Sequence, residues 1–96
     1  MMLIWDEKKN IKLQIERNIS FEEIADIILC KQYLDILEHP TKKKQNIFVI
    51  ELDRYIYAVP FIIDKNSNIV LKTAYPSRKL QKKYRGGKNE KKKKTK

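Results

Sequence analysis

Two runs of β-branched and aromatic residues, Ile47-Phe48-Val49-Ile50-Glu51-Leu52 and Tyr55-Ile56-Tyr57-Ala58-Val59-Pro60-Phe61-Ile62-Ile63, stand only two residues apart, at Asp53-Arg54. Side chains of this kind favour extended backbone, and a two-residue gap between two such runs suits a tight antiparallel hairpin. Asp64-Lys65-Asn66-Ser67-Asn68 supplies a second turn. Ile69 to Tyr75 then reads as a further strand, with Ile69, Leu71, Thr73 and Tyr75 on one face and Val70, Lys72 and Ala74 on the other. The expectation is an antiparallel meander of three strands, or four if an outer strand joins. Pro60 has no N–H for a ladder, which implies a bulge or an edge at that position.

The N-terminal half carries helix signals. Met2 to Trp5 is a short apolar run that suits a first strand, and Asp6 can cap a helix extending to about Asn18. On that helix Ile4, Lys8, Ile11 and Ile15 share one face, with Leu13 off the stripe. Ser20-Phe21-Glu22-Glu23 is a capping box, and Ile19 and Ile24 form the accompanying hydrophobic staple. Phe21, Ile24, Ala25 and Ile28 recur at helical steps, predicting a helix over about 21–31 with Glu22, Glu23 and Asp26 toward water. Tyr33 to Leu37 suits a short strand, and His39-Pro40-Thr41-Lys42-Lys43-Lys44-Gln45 a loop. After Pro76, Ser77 can cap two helical turns over Arg78 to Tyr84 before Gly86-Gly87.

One strand, two helices, a meander and a short C-terminal helix make an α+β domain over residues 1–87, followed by a Lys-rich tail over 88–96 whose composition predicts disorder. Ninety-six residues suffice for one core only. No stretch approaches the roughly 18 uncharged apolar residues of a membrane span, and Asp6 and Glu7 stand where a signal peptide has its apolar run. A cytoplasmic protein without membrane attachment is expected. The single cysteine, Cys30, permits no internal disulfide and reads as a small helix residue.

Charge is uneven along the chain. The net charge is +10, yet residues 1–77 hold eleven basic and eleven acidic side chains. Residues 78–96 hold eleven basic groups against Glu90 alone. In sequence, therefore, the whole excess lies in the last nineteen residues.

No Ser/His/Asp set is legible around the single histidine, and no His/Cys/carboxylate cluster stands at metal-ligand spacing, so neither metal nor cofactor is expected. What remains is a concentration of Lys, Arg, Tyr, Thr and Ser around the final strand: Lys72, Thr73, Tyr75, Ser77, Arg78, Lys79, Lys82, Lys83, Tyr84 and Arg85. An RNA phosphodiester can be attacked by its own 2′-hydroxyl without a metal. One group must take that proton, another must protonate the leaving oxygen, and cations must stabilise the charge that develops on phosphorus. Lys72, Arg78 and Lys79 suit the cations, Tyr75 and Tyr84 suit an acid or a stacking platform, and Thr73 can donate to phosphate. His39 alone has an ordinary pKa suited to the base. Ser77, Lys82, Lys83 and Arg85 complete a phosphate-binding surface. The same residues also fit a non-catalytic nucleic-acid-binding protein, and a third reading is a small interaction protein with a solubilising tail.

The opening Ile4-Trp5-Asp6-Glu7-Lys8-Lys9-Asn10 and the segment Asn18-Ile19-Ser20-Phe21-Glu22-Glu23-Ile24-Ala25 resemble the start of BrnT-type ribonuclease toxins of bacterial toxin–antitoxin pairs. Those proteins read as a strand ending Trp-Asp, a Lys/Asn helix and a Ser-Phe-Glu-Glu-Ala helix. The likeness covers about the first 30 residues, and the remaining order is similar to the wider RelE-like toxin fold. Two positions depart from the family: Glu16-Arg17-Asn18 stands where members have Lys-His-Gly, and Lys72-Thr73-Ala74-Tyr75 where they have Ile-Ser-Ala-Arg. The arginine of that strand is thus tyrosine here, or displaced to Arg78, and its role is not carried over. Thr73-Ala74-Tyr75-Pro76 is instead similar to strand ends in the broader group of barnase, colicin and RelE nucleases. The resemblance implies endonucleolytic cleavage of RNA that halts translation. It also implies a cognate antitoxin, of ribbon-helix-helix type, covering the basic surface.

Overall fold

The computed structural model describes residues 2–84. The chain runs β1 (Leu3–Ile4), α1 (Glu7–Arg17), α2 (Phe21–Leu29), β2 (Asp35–Glu38), β3 (Asn46–Leu52), β4 (Tyr55–Ile63), β5 (Ile69–Leu71), β6 (Tyr75–Pro76) and α3 (Arg78–Tyr84). The expected class, α+β, is what it adopts. The sheet is mixed and larger than a meander: its order is β1-β5-β4-β3-β2, with β6 also on β4, and β1 joins β5 in parallel. The Lys-rich tail over 88–96 and Arg85 lie outside the described residues.

The hairpin forms where expected, with Leu52 opposite Tyr55 and Asn46 opposite Phe61. Asp53 and Arg54 take positive φ values of 54° and 65°. Two successive left-handed residues give a type I′ turn, whose twist matches that of the flanking strands.

Helix α2 begins on the expected capping box: Glu23 N–H donates to Ser20 Oγ, and Ser20 N–H donates to Glu23 Oε1. Its buried face is Phe21, Ile24, Ala25 and Ile28, as the periodicity predicts. Helix α1 starts at Asp6, whose carboxylate accepts from Lys8 N–H, and ends at Asn18 in the left-handed region. Its orientation corrects the sequence reading. Ile11 and Ile15 are 52% and 79% exposed, while Asn10 and Leu13 are buried. The reason lies in hydrogen bonding between helices. Asn10 Oδ1 accepts from Phe21 N–H at 2.8 Å, and Asn10 Nδ2 donates to Glu22 at 2.8 Å and to Glu7 at 3.2 Å. A fully buried amide with all these partners satisfied fixes which side of α1 faces inward, and Leu13, one turn on, follows it.

Both helices cover one sheet face. There Leu13, Ile19, Phe21, Ile24 and Ile28 meet Phe48, Ile50, Tyr57, Val59, Phe61, Ile69 and Leu71. Phe48 and Phe61 stack across the hairpin with ring centroids 4.2 Å apart. Burying each of these large side chains contributes about 1.5–3 kcal/mol. Ile47, Val49, Ile56 and Ala58 point to the opposite face and are buried too. That face carries α3.

The strand expected over 69–75 is interrupted. β5 pairs with β4 through Phe61–Leu71, and β6 pairs with it through Ala58–Tyr75, so residues 72–74 oppose only 59–60. One extra residue makes a bulge and reverses the alternation: Leu71 and Ala74 are buried while Thr73 and Tyr75 are exposed. Thr73 therefore does not share a face with Leu71. Pro60 is the cause on the facing strand. It has no N–H to give, and its carbonyl accepts from Lys72 N–H at 2.8 Å as the ladder ends.

Candidate nucleic-acid interface

The bulge opens a cleft at the side of β4. Its central depression, of about 260 Å³, is lined by Lys9, His39, Lys42, Gln45, Pro60, Lys72, Thr73 and Tyr75. Lys72, Thr73 and Tyr75 reach it together because the extra residue turns successive side chains toward one opening. Lys9 comes from α1, and its Nζ donates to Lys72 O at 3.2 Å. Thus an ammonium 63 residues away in sequence is fixed beside Lys72.

His39 enters from the loop before β3. That loop closes on itself: His39 N–H donates to Gln45 O, and Gln45 N–H donates to Lys42 O. His39 Nδ1 accepts from Thr41 N–H at 3.2 Å and Lys42 N–H at 3.1 Å. An Nδ1 that accepts carries no proton, so the neutral ring holds its hydrogen on Nε2. The ring therefore offers a donor, rather than an acceptor, to whatever enters the cleft.

A second depression, of about 370 Å³, shares His39 and Tyr75 with the first. Glu38, Ser77, Lys79 and Lys83 supply its polar rim, one carboxylate against two ammonium groups, and Leu37, Pro40, Ile47, Ala58 and Leu80 its apolar floor. Helix α3 is held over β4 by two hydrogen bonds to one residue: Ser77 N–H donates to Ile56 O, and Ile56 N–H donates to Gln81 Oε1. Ser77 Oγ also accepts from Leu80 N–H, the expected cap. This anchoring sorts the basic residues of α3. Lys79 and Lys83, four apart, flank the second depression, whereas Arg78 and Lys82 are exposed and line neither.

Tyr84 is drawn elsewhere. Its Oη donates to Asp35 Oδ2 at 2.7 Å, on edge strand β2, and the Lys83 ammonium lies 5.5 Å from its ring centroid. Burial and the Asp35 carboxylate push its phenol up to about 12, which suits neither an acid nor a free stacking platform. The Tyr84 hydrogen bond, with that from Ile36 N–H, holds Asp35 below the usual carboxylate range.

Of the residues singled out in sequence, the fold brings together His39, Lys72, Thr73, Tyr75, Ser77, Lys79 and Lys83. Sequence reasoning missed Lys9, Lys42 and Gln45. Only the lysine run in the loop signalled any of them. Folding also redistributes the charge of the neutral body: these lysines gather at the cleft, while Asp6, Glu23 and Asp64 serve caps and turns.

Among the described residues, no group of three or more His, Cys, Asp or Glu is placed to hold a metal ion, and no helix is long and apolar enough to cross a membrane. Compared with family models, curated proteins and solved structures, the chain matches none. Fold and site define a small α+β protein with a basic cleft centred on a tyrosine and a histidine.

Proposed function

We propose that the protein is a RelE-like endoribonuclease, the toxin of a toxin–antitoxin pair, cutting RNA in the cleft between β6, α3 and the His39 loop. The observation that carries this reading is the sharing of His39 and Tyr75 by a lysine-lined depression and an apolar-floored one. A phosphodiester seated at the junction places its anionic oxygens against Lys9, Lys42 and Lys72, with Thr73 as a further donor. Lysines held around a partly enclosed site stabilise the doubly charged phosphorane more than the singly charged substrate. The 2′-oxygen bonds to phosphorus as its proton passes to solvent water, since His39 Nδ1 is engaged by its own loop; the bond to the 5′-oxygen breaks, and a donor of the cleft protonates that oxygen. The Tyr75 hydroxyl stands on the junction as the proton donor, and His39 Nε2–H offers a hydrogen bond to the departing oxygen beside it. Lys79, Lys83 and Ser77 hold the adjoining nucleotide, and Arg78 and Lys82 form an outer phosphate-attracting surface.

The partner that fits this face is an antitoxin offering acidic groups to the cleft, and a ribbon-helix-helix reading frame beside the gene would support the pairing. The basic lining alone also serves a protein that binds RNA without cutting it. Incubating purified protein with total RNA in EDTA separates the two. Cleavage by the wild type, reduced at least about 100-fold in a Lys72→Ala, Tyr75→Phe variant, supports the nuclease. Intact RNA, retarded on a gel with a steep salt dependence, leaves the binding protein.

A further inference from the structure

The cleft does not end at Lys9. A third depression, of about 270 Å³, is lined by Lys9, Lys12, Leu13, Glu16, Arg17 and Thr73. It meets the central one at Lys9 and Thr73, just as the central one meets the α3 depression at His39 and Tyr75. We infer that the α1 face carrying Lys12 and Arg17 is a second RNA-binding subsite, continuous with the cleavage cleft, so that a single strand lies along three linked depressions. This rests on the reading that the His39–Tyr75 cleft takes RNA.

Three observations support the track. Lys9 and Lys12, one helical turn apart, and Arg17, on the next turns, border the same hollow. Burial of Leu13 and Asn10 turns this stripe toward the bulge instead of the solvent side occupied by Ile11 and Ile15. Glu16 is the single acid on that lining, against three cations, so the hollow keeps a net positive field. The opposite end specifies the strandedness. The floor of Leu37, Ala58 and Leu80 offers apolar contact to a flat ring, and only an unpaired nucleotide can present a base face there. Cations at one end and an apolar floor at the other match a strand whose phosphates run over α1 while a base enters beside α3.

The test uses the full chain and 2′-O-methyl oligonucleotides, which cannot be cleaved, of three and twelve nucleotides, read by fluorescence anisotropy across a salt series. A Lys12→Gln, Arg17→Gln variant is compared with a Lys31→Gln, Lys65→Gln variant that removes the same charge away from the cleft. Lys12 and Arg17 are exposed, so an unchanged melting temperature is expected. The track predicts a tenfold or greater drop in affinity for the 12-mer with the first variant, none for the 3-mer, and little change with the second. It also predicts a salt slope lower by about 1.4, at about 0.7 for each phosphate no longer neutralised. Unchanged 12-mer affinity, or an equal drop in both variants, overturns the subsite while 3-mer binding still supports the cleft. A 12-bp duplex bound as tightly as the strand overturns the single-strand assignment, and failure of both oligomers to bind overturns cleft and track together.

Discussion

Tyr84 Oη lies 2.7 Å from Asp35 Oδ2, tying the end of α3 to the edge strand β2 across 49 residues of sequence. The hydrogen bond has two consequences. It holds α3 over the apolar floor of the cleft, and it commits the tyrosine to a structural task.

Its stability contribution depends on pH in a defined direction. The Tyr84 phenol is raised to about 12 from an ordinary value near 10, so the contribution is complete below pH 10 and is lost as pH rises through 12. Asp35 is depressed, so its contribution is present above the ordinary aspartate range and is lost as pH falls through the lowered value. Tyr84→Phe is expected to lower the urea midpoint by a constant amount from about pH 5 to pH 10. The gap to the wild type then narrows toward pH 12 and toward strong acid. A gap that persists unchanged to pH 12 would show that the phenol–carboxylate hydrogen bond is not what Tyr84 contributes.

The hairpin turn stores strain that a substitution can release. Arg54, at φ 65°, has a side chain in a region that costs a non-glycine residue about 1–2 kcal/mol. Arg54→Gly removes the clash, offset in part by the greater freedom of glycine in the unfolded chain. A net gain of about 0.5–1 kcal/mol is expected, a rise of several degrees in melting temperature for a chain of this size. An unchanged or lower Tm would mean that the arginine side chain makes compensating interactions.

Asn10 is the buried polar residue on which the α1–α2 pair turns. Asn10→Ala leaves the buried Phe21 N–H without a partner and opens a small void, an expected destabilisation of about 2–3 kcal/mol by urea unfolding. Asn10→Asp keeps an acceptor for Phe21 but sets a carboxylate against Glu22 and Glu7. Its destabilisation should be large at pH 7 and should shrink as those carboxylates protonate. Equal destabilisation at pH 7 and pH 4 would argue against the amide bridge as the organising interaction.

The elements legible in the sequence are those whose signals are local. The two-residue hairpin, the Ser20–Glu23 box and the Ser77 cap each depend on neighbours within four residues, and each forms. The orientation of α1 is hidden because Asn10 is fixed by partners on another helix, so a count of apolar residues favours Ile11 and Ile15. The bulge at 72–74 is hidden by an alternation that runs on unbroken in the letters, and only Pro60, on the facing strand, hints at it. The site follows the same rule. Lys72 to Tyr75 can be grouped from sequence, but Lys9 and Lys42 come to them only through tertiary folding.

His39 carries two separable roles, and one substitution divides them. Its Nδ1 accepts from Thr41 and Lys42 N–H, much as an asparagine oxygen does in an Asx turn, while Nε2–H is the hydrogen-bond donor proposed for the leaving oxygen. His39→Asn keeps an acceptor where Nδ1 stands and removes the second nitrogen. Its melting temperature and its affinity for uncleavable RNA should match the wild type, with cleavage down about 100-fold. His39→Ala removes both functions, so the Lys42 loop should open to hydrogen exchange and RNA affinity should fall with cleavage. Wild-type cleavage by the asparagine variant would reduce His39 to a turn-forming residue and leave Tyr75 alone at the leaving oxygen.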